Sequence, residues 1–133
     1  MTKSAADYLA EANAAVPRIP GAEAIAQHGS NAIFIDVRDS GDIAKSGTVA
    51  GALRIPRGMI EFRADPAMEK FHEPKLKKDA KLMLVCGAGG QAALSGKTLM
   101  DMGYTDVTNI GGIGEWSEAN GPMEDVPGED EEE

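Results

Sequence analysis

The sequence predicts an α/β fold: an open, largely parallel sheet with helices packed against it. Three observations predict it. Residues 32–37 (Ala-Ile-Phe-Ile-Asp-Val) form an apolar run interrupted by Asp36, and within 81–86 (Lys-Leu-Met-Leu-Val-Cys) residues 82–86 are apolar at consecutive positions, the pattern of short strands buried on both faces. Segments of helical spacing separate these runs and the later run 106–110. Glycines and prolines mark the joints between them.

Taken in order, Ser4–Val16 reads as an amphipathic helix with Tyr8, Leu9, Ala12 and Val16 at helical spacing, ended by Pro17 and Pro20. A second short helix spans Pro20–Gln27. The strand 32–37 follows, interrupted by Asp36 near its end. Asp39 starts a helix whose inner face is Ile43 and Ala44. Gly47 and Gly51 bracket a turn before a short strand, Ala52–Ile55, halted by Pro56. Arg57–Asp65 is a helix stopped by Pro66, and a mixed, mobile-looking stretch with Lys75, Lys77, Lys78 and Lys81 leads to the strand Lys81–Cys86. Then come a helix over Gln91–Met102 with Gly103 as its stop, a strand over Asp106–Ile110, and a last helix over Gly112–Asn120 that carries Trp116 as a packing anchor. His28 and His72 read as exposed residues outside any metal-ligand spacing. No internal repeat is visible.

Composition narrows the function classes. A chain of 133 residues suits one domain with one core, here 1–123, with 1–18 as a helical N-terminal extension. The formal net charge is −9, but residues 124–133 contain seven acids and no base, and the rest holds 15 acids against 13 bases. The acidity therefore belongs to a tail, expected to be disordered. No basic patch with interleaved aromatics argues for nucleic acid. No apolar run is long enough to span a membrane, and the N-terminus lacks the pattern of a signal peptide, so a cytoplasmic location is expected. The chain has one cysteine, Cys86. That excludes an internal disulfide, a multi-cysteine metal site and a Cys-x-x-Cys redox pair.

Cys86 ends a buried strand, and the turn Gly87-Ala88-Gly89-Gly90-Gln91 separates it from the next helix. Ligands of open α/β sheets bind at the carboxyl ends of strands. Glycines let the backbone curl so that several N–H groups converge on one atom, and the helix directs its positive end at the same point. A thiolate there is stabilised, and so is a terminal persulfide. This suggests attack on a sulfane sulfur, storage as Cys–S–S⁻, and delivery to an acceptor.

Several segments together resemble the rhodanese family over most of the chain. Asp36-Val37-Arg38 is similar to the family's Asp-Val-Arg segment. Residues 47–56 (Gly-Thr-Val-Ala-Gly-Ala-Leu-Arg-Ile-Pro) are similar to its Gly-His-Ile-Pro-Gly-Ala-x-x-Ile-Pro motif, with Thr48 and Ala50 as departures. Residues 86–91 align with a loop that usually reads Cys-x-x-Gly-x-Arg, and Gly103-Tyr104, Gly111-Gly112 and Trp116 match the closing pattern. The resemblance implies an open parallel sheet of about five strands and a sulfurtransferase with Cys86 as the sulfur carrier. It implies a small sulfur-donor anion and a thiol, cyanide or protein-cysteine acceptor as partners, in a monomer or homodimer, with no cofactor and no metal. Arg38 is expected to pair with Asp36 or a nearby carboxylate and brace the domain. Arg57, following the Ile-Pro segment, is expected near the pocket mouth as an anion-binding cation, with Arg63 a weaker third. Gln91 stands where thiosulfate-using members generally carry a basic residue, which favours a polysulfide or protein persulfide as donor.

Other readings fit less well. Residues 87–92 match Gly-x-Gly-x-x-Ala of dinucleotide sites, but Asp106 opens the next strand instead of ending it. Gly96-Lys97-Thr98 lacks the partner glycine of a P-loop. A cysteine phosphatase needs Cys-x5-Arg, and position 92 is alanine. A non-catalytic rhodanese-like binding module is the alternative of another class, with Gln91 leaning that way and the retained Cys86 against it.

Overall fold

The first helix, α1 (Ala5–Ala15), begins at a capping box in the computed structural model, which describes residues 2–127. The Ser4 hydroxyl accepts from the Asp7 N–H at 3.2 Å and the Asp7 carboxylate accepts from the Ser4 N–H at 2.9 Å. There follow α2 (Gly21–Ala24), β1 (Ile33–Asp36), α3 (Ser40–Ser46), β2 (Thr48–Val49), β3 (Leu53–Arg54) and α4 (Ile60–Ala64). The second half contains β4 (Lys81–Cys86), α5 (Gly90–Asp101), β5 (Asp106–Gly112), α6 (Ile113–Glu118) and β6 (Met123–Glu124). Two predicted helices are each part 3-10 turn, over Ile25–Gln27 and Arg57–Met59. Segments this short gain little from α-helical propagation and tighten readily.

Four strands form a parallel sheet in the order β3-β1-β4-β5. The expected fifth strand is reduced to one parallel bridge on the free edge of β5, between Arg18 and Asn109. There the Asn109 N–H donates to the Pro17 carbonyl at 2.8 Å and the Ile19 N–H donates to the Asn109 carbonyl at 3.0 Å. Pro17 and Pro20 lack the N–H needed to extend the ladder. The prolines thus do more than end α1: the segment between them edges the sheet. A separate antiparallel pair joins β2 to β6, which places Glu124 in a strand. Residues 128–133, the remainder of the acidic tail, lie outside the described residues.

Strand alternation sorts side chains into two layers. Leu82, Leu84 and Cys86 of β4 face α4 and α5 with Ile35, Val37, Ile60 and Leu99. Met83 and Val85 face α2 and α6 with Phe34, Ile110 and Trp116. Helix α1 packs on α5, outside the first layer. His28 is half-buried instead of exposed: its Nε2 lies 2.7 Å from the Ala50 carbonyl and its ring packs against Phe34 and Trp116.

The stretch 66–80, which looks mobile in sequence, is tied down at several points. The Glu73 N–H donates to the Arg63 carbonyl at 2.9 Å, and the Thr105 N–H donates to Lys78 at 3.0 Å. Leu76 is buried, and the Tyr104 hydroxyl lies 2.7 Å from the Ala64 carbonyl and 3.1 Å from that of Leu76. Burial, with Asp65 nearby, raises the Tyr104 pKa above the usual tyrosine value. The unfolded chain therefore ionises first as pH rises. The stability this phenol contributes is complete below pH about 10 and is lost through the range above it. Urea melts from pH 8 to 11 should show that decline, and Tyr104→Phe should flatten it while costing about 1–3 kcal/mol at neutral pH.

Candidate active site

Cys86 is the last residue of β4, and the ladder to β5 slips just before it. Leu84 pairs with Asn109, whereas Cys86 pairs with Gly112. Such an irregularity re-aims a side chain at a strand end. The residue is 1% exposed. Its Sγ accepts from the Gly89 N–H at 2.9 Å and from the Ala92 N–H at 3.4 Å. Gly89 is the N-cap of α5 at φ +104°, a left-handed conformation that a side chain would strain. That conformation is what turns its N–H back onto the sulfur.

The donors on Sγ are therefore Gly89 and Ala92, and not the whole run 87–91. Ala93 already donates to the Gly89 carbonyl. Gly90 and Gln91 occupy the first two helical positions, whose N–H groups have no intrahelical acceptor. Gly87, Ala88 and Gln91 are exposed, so the loop faces outward above a buried thiol. The arrangement concentrates donors and the positive end of a twelve-residue helix on a sulfur, and it stabilises negative charge there.

Two residues outside the loop hold its shape. Asn109, 1% exposed, donates from Nδ2 to the Gly89 carbonyl at 2.9 Å and accepts at Oδ1 from the Gly111 N–H at 2.8 Å. Arg18 lies across Gly89, with Nη2 3.5 Å from the Ala88 carbonyl and 3.2 Å from Glu115 Oε2, which also accepts from the Gly112 N–H at 2.9 Å. Gly112 itself abuts the Gly87 carbonyl so closely that a Cβ would overlap it. The sequence contains a hint of Asn109, a polar residue inside an apolar strand as Asp36 is. It contains none of Arg18, which is 70 residues from the loop. Asn109→Ala would take the acceptor from the Gly111 N–H and leave the Gly89 carbonyl with the Ala93 N–H alone. We expect a loss of about 1–3 kcal/mol in chemical denaturation.

The other predicted site residues lie elsewhere. Asp36 and Arg38 form a buried pair, 2.8 Å apart, with side chains 0% and 6% exposed. Arg57 donates to Glu61 at 3.0 Å and to Thr98 at 3.1 Å, two turns along α5 from the loop. Arg63 lies 3.5 Å from Glu73. Among the hydrogen bonds of these three arginines, none reaches the Cys86 loop.

Comparison with known proteins decides the family. The rhodanese-like domain model matches residues 20–119.

The chain belongs to the rhodanese-like family.

The rhodanese-like domain thus covers the sheet, the Cys86 loop and α6. Among solved structures, a protein of unknown function from Rhodopseudomonas palustris, described as a possible tyrosine phosphatase, is similar at TM-score 0.86 and 35% identity over 93% of this chain and 96% of its own. A rhodanese from E. coli, solved with anions, aligns at TM-score 0.54 and 29% identity, covering 72% of this chain and 98% of its own. The polysulfide-sulfur transferase homodimer of Wolinella succinogenes shares the fold at TM-score 0.66 and 24% identity, over 94% and 90% of the two chains. Among curated proteins, the adenylyltransferase and sulfurtransferase UBA4 of Candida albicans is 36% identical over 58 residues, 43% of this chain but only 13% of that protein. Among the described residues, no helix is long and apolar enough to cross a membrane.

Proposed function

We propose that this rhodanese-like domain is a sulfurtransferase that carries sulfane sulfur on Cys86. The observation that carries the reading is the convergence of the Gly89 and Ala92 N–H groups on Cys86 Sγ at the start of α5. The Cys86 thiolate attacks the outer sulfur of a donor. A new S–S bond forms, the donor's S–S bond breaks, and the electron pair leaves with sulfite or with a polysulfide shortened by one sulfur. The outer sulfur of the persulfide then lies beyond Sγ, where the unused N–H groups of Gly90 and Gln91 stabilise its charge. A thiolate or cyanide attacks that sulfur, and Cys86 leaves as thiolate. The cycle needs no external oxidant or reductant. With no second cysteine in the chain, the acceptor must come from outside. A cytoplasmic setting and a monomer or homodimer accord with this reading.

Gln91 brings no charge to the loop, so polysulfide is the favoured donor over thiosulfate. The phosphatase description of the Rhodopseudomonas protein is not extended to this chain, because Ala92 stands where a phosphate-binding arginine would be needed. Intact mass measured after polysulfide and after thiosulfate tests the proposal. A gain of about 32 Da that reductant removes is expected from polysulfide, because one sulfur converts thiol to persulfide. Gln91→Arg should raise loading from thiosulfate by at least about ten-fold, as a charge-assisted contact would. No gain from either donor in folded protein would turn the reading to a non-catalytic binding module.

A further inference from the structure

Away from Cys86, a cavity of about 470 Å³ opens beside the edge strand β3, at the carboxyl ends of β1 and β3. Three arginines line it: Arg38, Arg54 and Arg63. Strand β1 separates it from the strand that carries Cys86. Its size lies within the range of about 300–1,000 Å³ usual for small-molecule sites.

The three cations are not equally satisfied. Arg38 is neutralised by Asp36, and its remaining donors go to the Ser46 hydroxyl at 2.8 Å and the Gly47 carbonyl at 2.9 Å. Arg63 reaches Glu73 only at 3.5 Å, and its Nε is buried with no acceptor. Arg54 has no ion-pair partner among the described residues. Glu124 and Asp125 border an adjoining opening beside Arg54, and Glu124 Oε1 is already taken by the Gly51 N–H at 2.7 Å. Arg54 is exposed and Arg63 is only loosely paired, so both guanidinium groups keep donors for an anion in the cavity.

We propose that this cavity is a binding site for a small organic di- or tricarboxylate, held by Arg54 and Arg63. Guanidinium forks match carboxylates bidentately. Ile43, Leu53 and Pro56 provide an apolar wall that an inorganic oxyanion, being small and strongly hydrated, would leave unused. Two sources can supply this chemistry: a free carboxylate, or the chain's own Glu129, Asp130, Glu131, Glu132 and Glu133, which follow Pro127 at the cavity's rim. The site is independent of sulfur transfer and stands whether or not Cys86 carries sulfur.

Citrate is the probe, titrated by calorimetry and by amide chemical shifts into the full chain and into a chain ending at Pro127. We expect saturable binding at one site, with shifts confined to residues 38–43, 52–56 and 63, also in Cys86→Ser. The double variant Arg54→Gln, Arg63→Gln, checked for folding by circular dichroism, should bind at least about ten-fold more weakly, as loss of charge-assisted contacts requires. Equal affinity in the two chains identifies a free carboxylate as the ligand. Binding that appears, or strengthens about ten-fold or more, only on truncation identifies the chain's own acids, through their high effective concentration. No saturable binding in either chain, undiminished binding in the double variant, or the same shifts from sulfate at equal ionic strength would overturn the proposal.

Discussion

Cys86→Ser will gain no mass from polysulfide, and its sulfur transfer to cyanide will fall to the uncatalysed rate, a loss of at least about 10³-fold of the kind seen when a covalent nucleophile is removed. The reason is chemical and not structural. Serine is close in size to cysteine, and its hydroxyl can accept the same N–H groups of Gly89 and Ala92 that bind Sγ at 2.9 and 3.4 Å. The loop and the first core layer should therefore survive, at a cost of about 1–3 kcal/mol for burying the more polar hydroxyl. What is lost is the thiolate, the only one this chain can form. An alkoxide is too basic to exist at neutral pH and has no stable sulfur adduct. Circular dichroism and intact mass on the same sample separate the two effects. Transfer by the serine variant above a tenth of the parent rate would remove Cys86 from the reaction.

The largest loss of stability is expected at Asp36. Its carboxylate is fully buried, yet every oxygen is occupied. Oδ1 accepts from the Arg38 N–H and Nε, each at 3.0 Å, and Oδ2 accepts from Arg38 Nη2 at 2.8 Å and Thr48 Oγ1 at 2.7 Å. The guanidinium in turn holds Ser46 and the Gly47 carbonyl, so the pair ties β1 to the end of α3 and the start of β2. Asp36→Ala leaves Arg38, 5% exposed, as an uncompensated buried charge. Breaking a buried pair from one side costs about 3–5 kcal/mol, a large share of the 5–15 kcal/mol typical of a whole domain. The midpoint of thermal unfolding should fall by roughly 10–20 °C. Asp36→Leu combined with Arg38→Met should recover much of that loss, because removing both charges removes the desolvation penalty with them. A single-variant loss below about 1 kcal/mol would show that water reaches the guanidinium.

In this chain α1 packs on α5, the helix that starts at the sulfur-holding loop, and Leu9 approaches Gly90. Val16 at its end sits against Gly96 in the same helix. The placement of α5, and with it the donors above Cys86, therefore depends on residues at the other end of the sequence.

The sequence by itself determined the features that are local in origin. Consecutive apolar residues over 82–86, bounded by a glycine turn, suit a short strand covered on both faces, and β4 contains all five. The glycine run after Cys86 dictated a turn and not a strand extension, and Gly89 adopts the left-handed backbone that only glycine takes without strain. The Ser4–Asp7 box set the start of α1 through bonds three residues apart. The tertiary structure alone decided what depends on pairing across long separations. Strands β2 and β6 are two residues each, too short to carry a periodic signal, and exist because Thr48–Val49 meets Met123–Glu124. Arg57 pairs locally with Glu61, four residues on, but it reaches Thr98 only because α4 packs against α5. Asn109 and Arg18 reach the Cys86 loop because parallel strands align their carboxyl ends. That alignment gathers side chains from distant positions at one edge of the sheet, whereas residue spacing reports only neighbours within a turn or a strand.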